Sequence, residues 1–357
     1  MSGAAEFHKL RVARVDSLTG DAAAVTFEVP GELRDRFAFA PGQSVTVRRE
    51  VDGRDERRSY SICAPAGQAP RIGVREVAGG LMSGWLVRDV RPGDMIEVQA
   101  PSGSFTPDLR QGGEHVLIAA GSGITPVLSI AASLLAARDD TRVTLLYGNR
   151  RADTVMFADE VADLKDVHPA RMRLVHVLSR EPQEVELFTG RLDAGKLREL
   201  LPAAVAAGAV REVDHWWVCG PFGMVSAVIE VLGELGVPRE RIHRELFYVE
   251  DVPPAEVHHA DPPAGAGAVA TVVLDGRASS VTVPPGTAVL DAAQRVRPDL
   301  PFACKGGVCG TCRALLRDGE VRMRRNYALE PEELAAGYVL TCQSLPVSDT
   351  LTVDYDA

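Results

Sequence analysis

The chain has 357 residues, room for two or three domains, and its 46% hydrophobic and 25% charged content is that of an ordinary globular protein. A formal net charge of −10 offers no basic surface for nucleic acid, and no apolar run approaches the ~20 residues of a membrane helix. Residues Met1 to His8 lack a basic segment followed by an apolar one, so no export signal is expected and the chain is assigned to the cytoplasm.

Residues 1–111 alternate in strand fashion between frequent Gly and Pro, as in Ala24–Val29, Gln43–Arg48, Arg71–Arg75 and Met95–Val98. Short strands at close spacing predict a small antiparallel barrel. Two motifs in it suit a flavin. In Arg58-Ser59-Tyr60-Ser61 the Arg suits a phosphate, the Tyr ring a flat heterocycle and the Ser its edge. About twenty residues on, Gly79-Gly80-Leu81-Met82-Ser83 opens a helix whose free amides suit a pyrophosphate, with the Ser83 hydroxyl as a further donor. The plainer readings are an exposed strand Arg and an ordinary glycine turn; together the motifs favour the flavin.

The pattern changes over 112–248. Buried runs at His115–Ala120, Val143–Tyr147, Leu174–Leu178 and Trp216–Cys219 alternate with helical stretches, and Arg241–Phe247 closes the series. This order predicts a doubly wound α/β parallel sheet. Gly121-Ser122-Gly123-Ile124-Thr125-Pro126 joins the first run to its helix, so Gly121 and Gly123 allow a dinucleotide phosphate to approach and Pro126 suits a first helical turn. Arg150 follows the second run and Ser179-Arg180 the third. No acid stands where a ribose 2′-hydroxyl partner is expected, which favours NADPH, unless these are solvated strand-end residues. Cys219-Gly220 ends a later run. Cys219 lines a nicotinamide pocket or is a buried structural thiol, and no side chain is singled out as catalytic. Phe247 shields a flavin ring or packs in the core.

Residues 249–267 hold four prolines, four acids and no Lys or Arg, and read as a semi-stiff linker. Strands resume over 268–357, with a short helix near Thr287–Asp291. Cys304, Cys309 and Cys312 are spaced C-x4-C-x2-C and Cys342 follows thirty residues later. That is the plant-type spacing for a [2Fe–2S] cluster, whereas zinc sites favour two CxxC-like pairs. Gly306, Gly307 and Gly310 let the loop wrap sulfur. The remaining Cys63 and Cys219 are too few for a disulfide framework. Arg313, Arg317, Arg322, Arg324 and Arg325 follow the loop, as a solvated hairpin face or as a docking patch for an acidic partner.

Arg58-x-Tyr60-Ser61, Gly121-x-Gly123-x-x-Pro126, Cys219-Gly220-Pro221 and the cysteine quartet together resemble the ferredoxin-NADP reductase superfamily. The order of flavin, nucleotide and C-terminal ferredoxin resembles oxygenase reductase components. Phe302–Cys309 and Asn326–Glu330 are most similar to the reductase subunits of phenylacetyl-CoA epoxidases, in phenylacetate catabolism. The resemblance implies a barrel for FAD, an NADP domain and a β-grasp-like [2Fe–2S] ferredoxin domain. It implies FAD at Arg58, Ser59, Tyr60, Ser61 and Gly80 to Ser83, Thr125 near flavin and nicotinamide, a 2′-phosphate at Arg150, Ser179 and Arg180, and the cluster on the four cysteines. Electrons then run from NADPH through FAD and the cluster to a separate di-iron oxygenase that binds the substrate. The alternatives are the reductase of another oxygenase, such as an NADH-linked ketosteroid 9α-hydroxylase, or a non-enzymatic redox sensor.

Overall fold

The structure is a computed structural model and describes residues 6–51, 53–205, 210–248 and 267–357. The expected linker lies outside the described residues except for Gly267. The chain divides into two compact units, one built on the first two sheets and one on the last.

Six antiparallel strands form the first sheet: β1 (Phe7–Thr19), β2 (Ala22–Glu28), β3 (Ser44–Val51), β4 (Arg54–Ser61), β5 (Arg71–Arg75) and β6 (Met95–Gln99), in the order β4-β3-β6-β1-β2-β5. An antiparallel bridge between Ile62 and Ile72 joins the two outer strands, so the sheet closes as a barrel. Closure removes the unpaired edges that an open sheet leaves. Strand alternation turns Leu10, Val12, Phe27, Val45, Val47, Ile72 and Val98 inward, where all are buried. Helix α1 (Leu81–Arg88) buries Met82 and Leu86 in the same core.

The second sheet is parallel. It comprises β7 (Gly113–Ala120), β8 (Thr141–Asn149), β9 (Met172–Leu178), β10 (His215–Pro221) and β11 (Ile242–Tyr248), ordered β11-β10-β7-β8-β9. Helices α2 (Ile124–Ala137), α3 (Ala158–Val167), α4 (Ala194–Ala204) and α5 (Phe222–Glu234) make the crossovers. The expected runs lie in these strands, and Phe247 lies within β11, half-buried against the core around α2. The strand order reverses between β7 and β10, which opens a crevice at the C-terminal ends of the strands.

Barrel and parallel sheet meet along a polar seam. Ser129 Oγ donates to Ala64 O at 2.6 Å, Ala66 N donates to Ser133 Oγ at 2.9 Å, and Arg71 binds both Glu160 oxygens at 2.8 and 2.9 Å. A Cβ on Gly73 of β5 would stand 2.6 Å from Thr125 and 2.7 Å from Phe157, so the missing side chain lets the two layers close.

The last sheet is mixed. It is formed by β12 (Ala268–Leu274), β13 (Arg277–Val283), β14 (Arg313–Asp318), β16 (Tyr338–Leu340) and β18 (Thr350–Asp354), ordered β13-β12-β18-β14-β16, with β12 and β18 parallel. A small ladder pairs β15 (Val321–Met323) with β17 (Ser344–Pro346). Helix α6 (Val289–Ala293) buries Val289, Leu290, Ala292 and Ala293 against the sheet, and α7 (Pro331–Ala335) is a short surface turn. No described helix is long and apolar enough to cross a membrane.

Candidate cofactor and electron-transfer sites

Strand β4 carries the first motif. Arg58, Ser59 and Tyr60 are half-buried, and Arg58 Nη1 donates to Arg57 O at 2.7 Å. Ser61 is buried and its Oγ donates to Glu245 Oε2 at 3.1 Å. Gly80 caps α1, so the first-turn amides of Leu81, Met82 and Ser83 have no partner within the helix. The buried Ser83 hydroxyl accepts from Val77 N at 3.1 Å, which braces the turn that opens α1.

At the parallel sheet every expected nucleotide residue stands at a C-terminal strand end. The backbone at Gly121 has φ +54°, and its carbonyl accepts from the buried Tyr147 hydroxyl at 3.1 Å. Gly123 serves a purpose the motif alone did not reveal. An added Cβ would lie 2.2 Å from the Cys219 carbonyl oxygen, so this glycine seats α2 against β10. Pro126 falls in the first turn of α2. Thr125 is 1% exposed and its hydroxyl donates to Ser122 O at 3.0 Å, so it is a buried loop brace in this conformation.

Arg150 and Arg180 are exposed and brought together by the β8–β9 ladder. Ser179 N donates to Asn149 O at 2.9 Å and Arg180 N to Arg150 O at 2.8 Å. The backbones of these two exposed arginines are therefore neighbours at the strand ends. Beside them Asn149 is 7% exposed, with the Tyr147 hydroxyl as its side-chain neighbour.

Glu245 had no sequence signal. It lies on β11, where Cys219 of β10 is its ladder partner, with the Cys219 Sγ 4.0 Å from its Oε2. Burial pushes its carboxyl up to about 7, against the Ser61 hydrogen bond that lowers it. Burial likewise pushes the Cys219 thiol well up, so it is no nucleophile at neutral pH. The cluster of Ser61, Cys219 and Glu245 joins barrel and parallel sheet where flavin and nicotinamide residues are expected.

The cysteine loop fits an iron–sulfur cluster. Gly306 N and Cys309 N point at Cys304 Sγ from 3.3 and 3.4 Å, and Gln343 Nε2 lies 3.5 Å from Cys342 Sγ. Cys304 is held below the usual thiol range by the Cys309 thiol and then, against burial, by loop amides; Cys342 is held down first by the Cys312 thiol. Within this arrangement Cys304 lies beside Cys309 and Cys342 beside Cys312, four thiols that would hold an iron–sulfur cluster. No three such side chains among the described residues converge on a single metal ion. Gly307 (φ +80°) and Gly310 (φ +67°) need the left-handed region, and Lys305 adopts it too (φ +50°) while its ammonium binds Asp291 at 2.9 Å and Gln294 at 2.7 Å.

Comparison with known proteins agrees domain by domain. The oxidoreductase FAD-binding domain matches residues 9–106, the oxidoreductase NAD-binding domain 117–230, and the 2Fe-2S iron-sulfur cluster binding domain 272–347. The chain is 40% identical to one of the subunits of 1,2-phenylacetyl-CoA epoxidase from Escherichia coli K12, covering 98% of both chains. The chain belongs to the ferredoxin reductase family.

It is an NAD(P)H oxidoreductase of the kind that serves oxygenases. It is also 35% identical to the ferredoxin reductase component of 3-ketosteroid-9-alpha-monooxygenase from Rhodococcus rhodochrous, covering 97% of this chain and 96% of that one. Phthalate dioxygenase reductase shares the three-domain fold at a TM-score of 0.61 and 23% identity, over 98% of each chain.

Proposed function

We propose that this reductase is NADPH-linked and feeds a di-iron oxygenase that epoxidises phenylacetyl-CoA. The 40% identity to the phenylacetyl-CoA epoxidase component, over nearly the whole chain, carries the partner reading. The juxtaposed Arg150 and Arg180 support the choice of NADPH. When bound, nicotinamide supplies electron pairs, an iron–sulfur centre accepts single electrons, and flavin mediates between them.

In this reading Arg58 and the first amides of α1 bind the FAD phosphates, Tyr60 packs on the flavin ring, and Ser61 and Ser59 hold its edge. The Gly121–Gly123 turn receives the nucleotide pyrophosphate, with Arg150, Ser179 and Arg180 at the 2′-phosphate. Glu245 and Cys219 flank the nicotinamide with Gly220, and the half-buried Phe247 covers the flavin site from β11. Cys304, Cys309, Cys312 and Cys342 hold the cluster. We set the domain limits at 1–111, 112–248 and 268–357, and place the chain in the cytoplasm, where thiols stay reduced.

The test is reconstitution with the phenylacetyl-CoA oxygenase core, phenylacetyl-CoA, and NADPH or NADH in turn. Epoxide formed with NADPH and dependent on this chain supports the proposal. Brisk turnover of an artificial acceptor without epoxide discards the partner. A preference for NADH favours the ketosteroid hydroxylase reading, for which the 35% identical relative speaks.

A further inference from the structure

The five arginines after the cluster loop do not behave alike. Arg313 is spent on Glu333 and stacks over the Tyr338 ring, and Arg317 binds Asp354 at 3.0 Å. Arg322, Arg324 and Arg325 are exposed, and none of them forms an ion pair with a described residue. Arg322 lies in β15, and Arg324 and Arg325 follow directly past its end.

Arg324 and Arg325 stand beside the cysteine ligands on two sides, with Arg322 two residues before them in β15. Arg324 N donates to Gln343 O at 2.9 Å and its Nη2 to Cys342 O at 3.3 Å, next to the fourth ligand. On the other side Tyr327 N donates to Gly307 O at 3.1 Å, and a Cβ on Gly307 would lie 3.2 Å from Arg325 O. Cys309 is exposed in the same loop. Of the nearby acids, Glu333 binds Arg313 and Asp354 binds Arg317, while Asp318, Glu320 and Glu332 are exposed and form no ion pair with the three arginines.

A concentrated positive patch is unusual on a chain with 49 acidic and 39 basic residues. Solubility does not need it, because the overall charge already supplies repulsion. Single-electron transfer falls steeply with distance, so an acceptor must seat beside the exposed edge of the loop. Charges placed there steer and orient the encounter more than they tighten it.

We propose that Arg322, Arg324 and Arg325 form the docking face for an acidic surface of the electron-accepting oxygenase. This rests on the oxygenase reading above and adds the surface and the charge of the partner. Arg324 also braces the backbone at Cys342, so the test variant leaves it in place.

The experiment compares the full-length holoprotein with its Arg322→Glu/Arg325→Glu variant. Two rates are read: NADPH-driven bleaching of the cluster in stopped flow, and turnover against increasing oxygenase at several salt concentrations. The expected result is unchanged bleaching, with the KM for the oxygenase raised ~10-fold or more and its rise with salt abolished in the variant. An unchanged KM and salt dependence overturns the docking face alone. Slowed bleaching shows that the patch serves transfer within the chain and also overturns it. Failure of the wild-type chain to reduce any oxygenase overturns the partner reading, and the docking face with it.

Discussion

Gly123→Ala tests the argument that this glycine exists for the sheet as well as for the nucleotide. The new Cβ would stand 2.2 Å from the Cys219 carbonyl oxygen and 2.6 Å from its carbon, where ordinary contact begins at 3.4 Å. Helix and strand must therefore part by roughly 1 Å, and both offending atoms are backbone, which no rotamer change can clear. Overpacking of this kind costs about 1–3 kcal/mol, and the rigid partner argues for the upper end. The buried Trp216 and Trp217 lie on β10 beside the clash, so their fluorescence reports the event. In a urea series the variant should lose ~3 kcal/mol in that signal, and NADPH-driven reduction of a neutral acceptor should fall with it. Gly121→Ala is the control. Its Cβ meets only Arg75 Nη1 at 3.4 Å, so the cost is the left-handed backbone alone, about 1–2 kcal/mol. A Gly123→Ala protein that melts with the wild type, or above Gly121→Ala, would refute the reasoning.

Glu245 has a folded pKa near 7, above its unfolded value, so its contribution is fully present below about pH 4.5 and is lost as the pH rises through 7. Glu245→Gln should therefore gain stability relative to wild type between pH 6 and pH 8, read as the difference in urea midpoints. His115 and His243 run the other way, because burial pushes both down to about 4. Their contribution is present above pH 6.5 and lost as the pH falls through 4, and two such groups outweigh the single carboxyl, so a midpoint series from pH 7 to 4.5 should decline. Arg150→Ala/Arg180→Ala should raise the KM for NADPH by ~10- to 100-fold, the worth of one or two charge-assisted bonds, with NADH little changed in the same steady-state assay. Cys309→Ser should lose the cluster's visible absorbance and EPR signal while keeping the flavin spectrum and its reduction by NADPH.

The three sheets, their order and the cysteine quartet were legible because each signal is local. A strand announces itself by its period, a strand–turn–helix by its glycines, and a ligand loop by spacing within nine residues. That Cys342 comes to lie beside Cys312 was not legible, since it depends on β14 and β16 pairing side by side. Local signals are silent on the partners a side chain takes. Ser83 is expected at a pyrophosphate and Thr125 near flavin and nicotinamide, and the fold adds that the Ser83 hydroxyl accepts from Val77 N and the Thr125 hydroxyl donates to Ser122 O.

Taken alone, the sequence determined which chemistries this chain can host: four thiols at cluster spacing and glycine turns at the ends of buried strands. Tertiary structure alone decided which groups meet. Ser61 and Glu245 are 184 residues apart and become hydrogen-bond partners only when barrel and parallel sheet dock. Five exposed arginines that look equivalent in sequence divide into two bound to carboxylates and three that form no ion pair with a described residue. The reason is physical: propensity and spacing act over a few residues, whereas burial, pKa and charge pairing depend on neighbours that only the folded chain supplies.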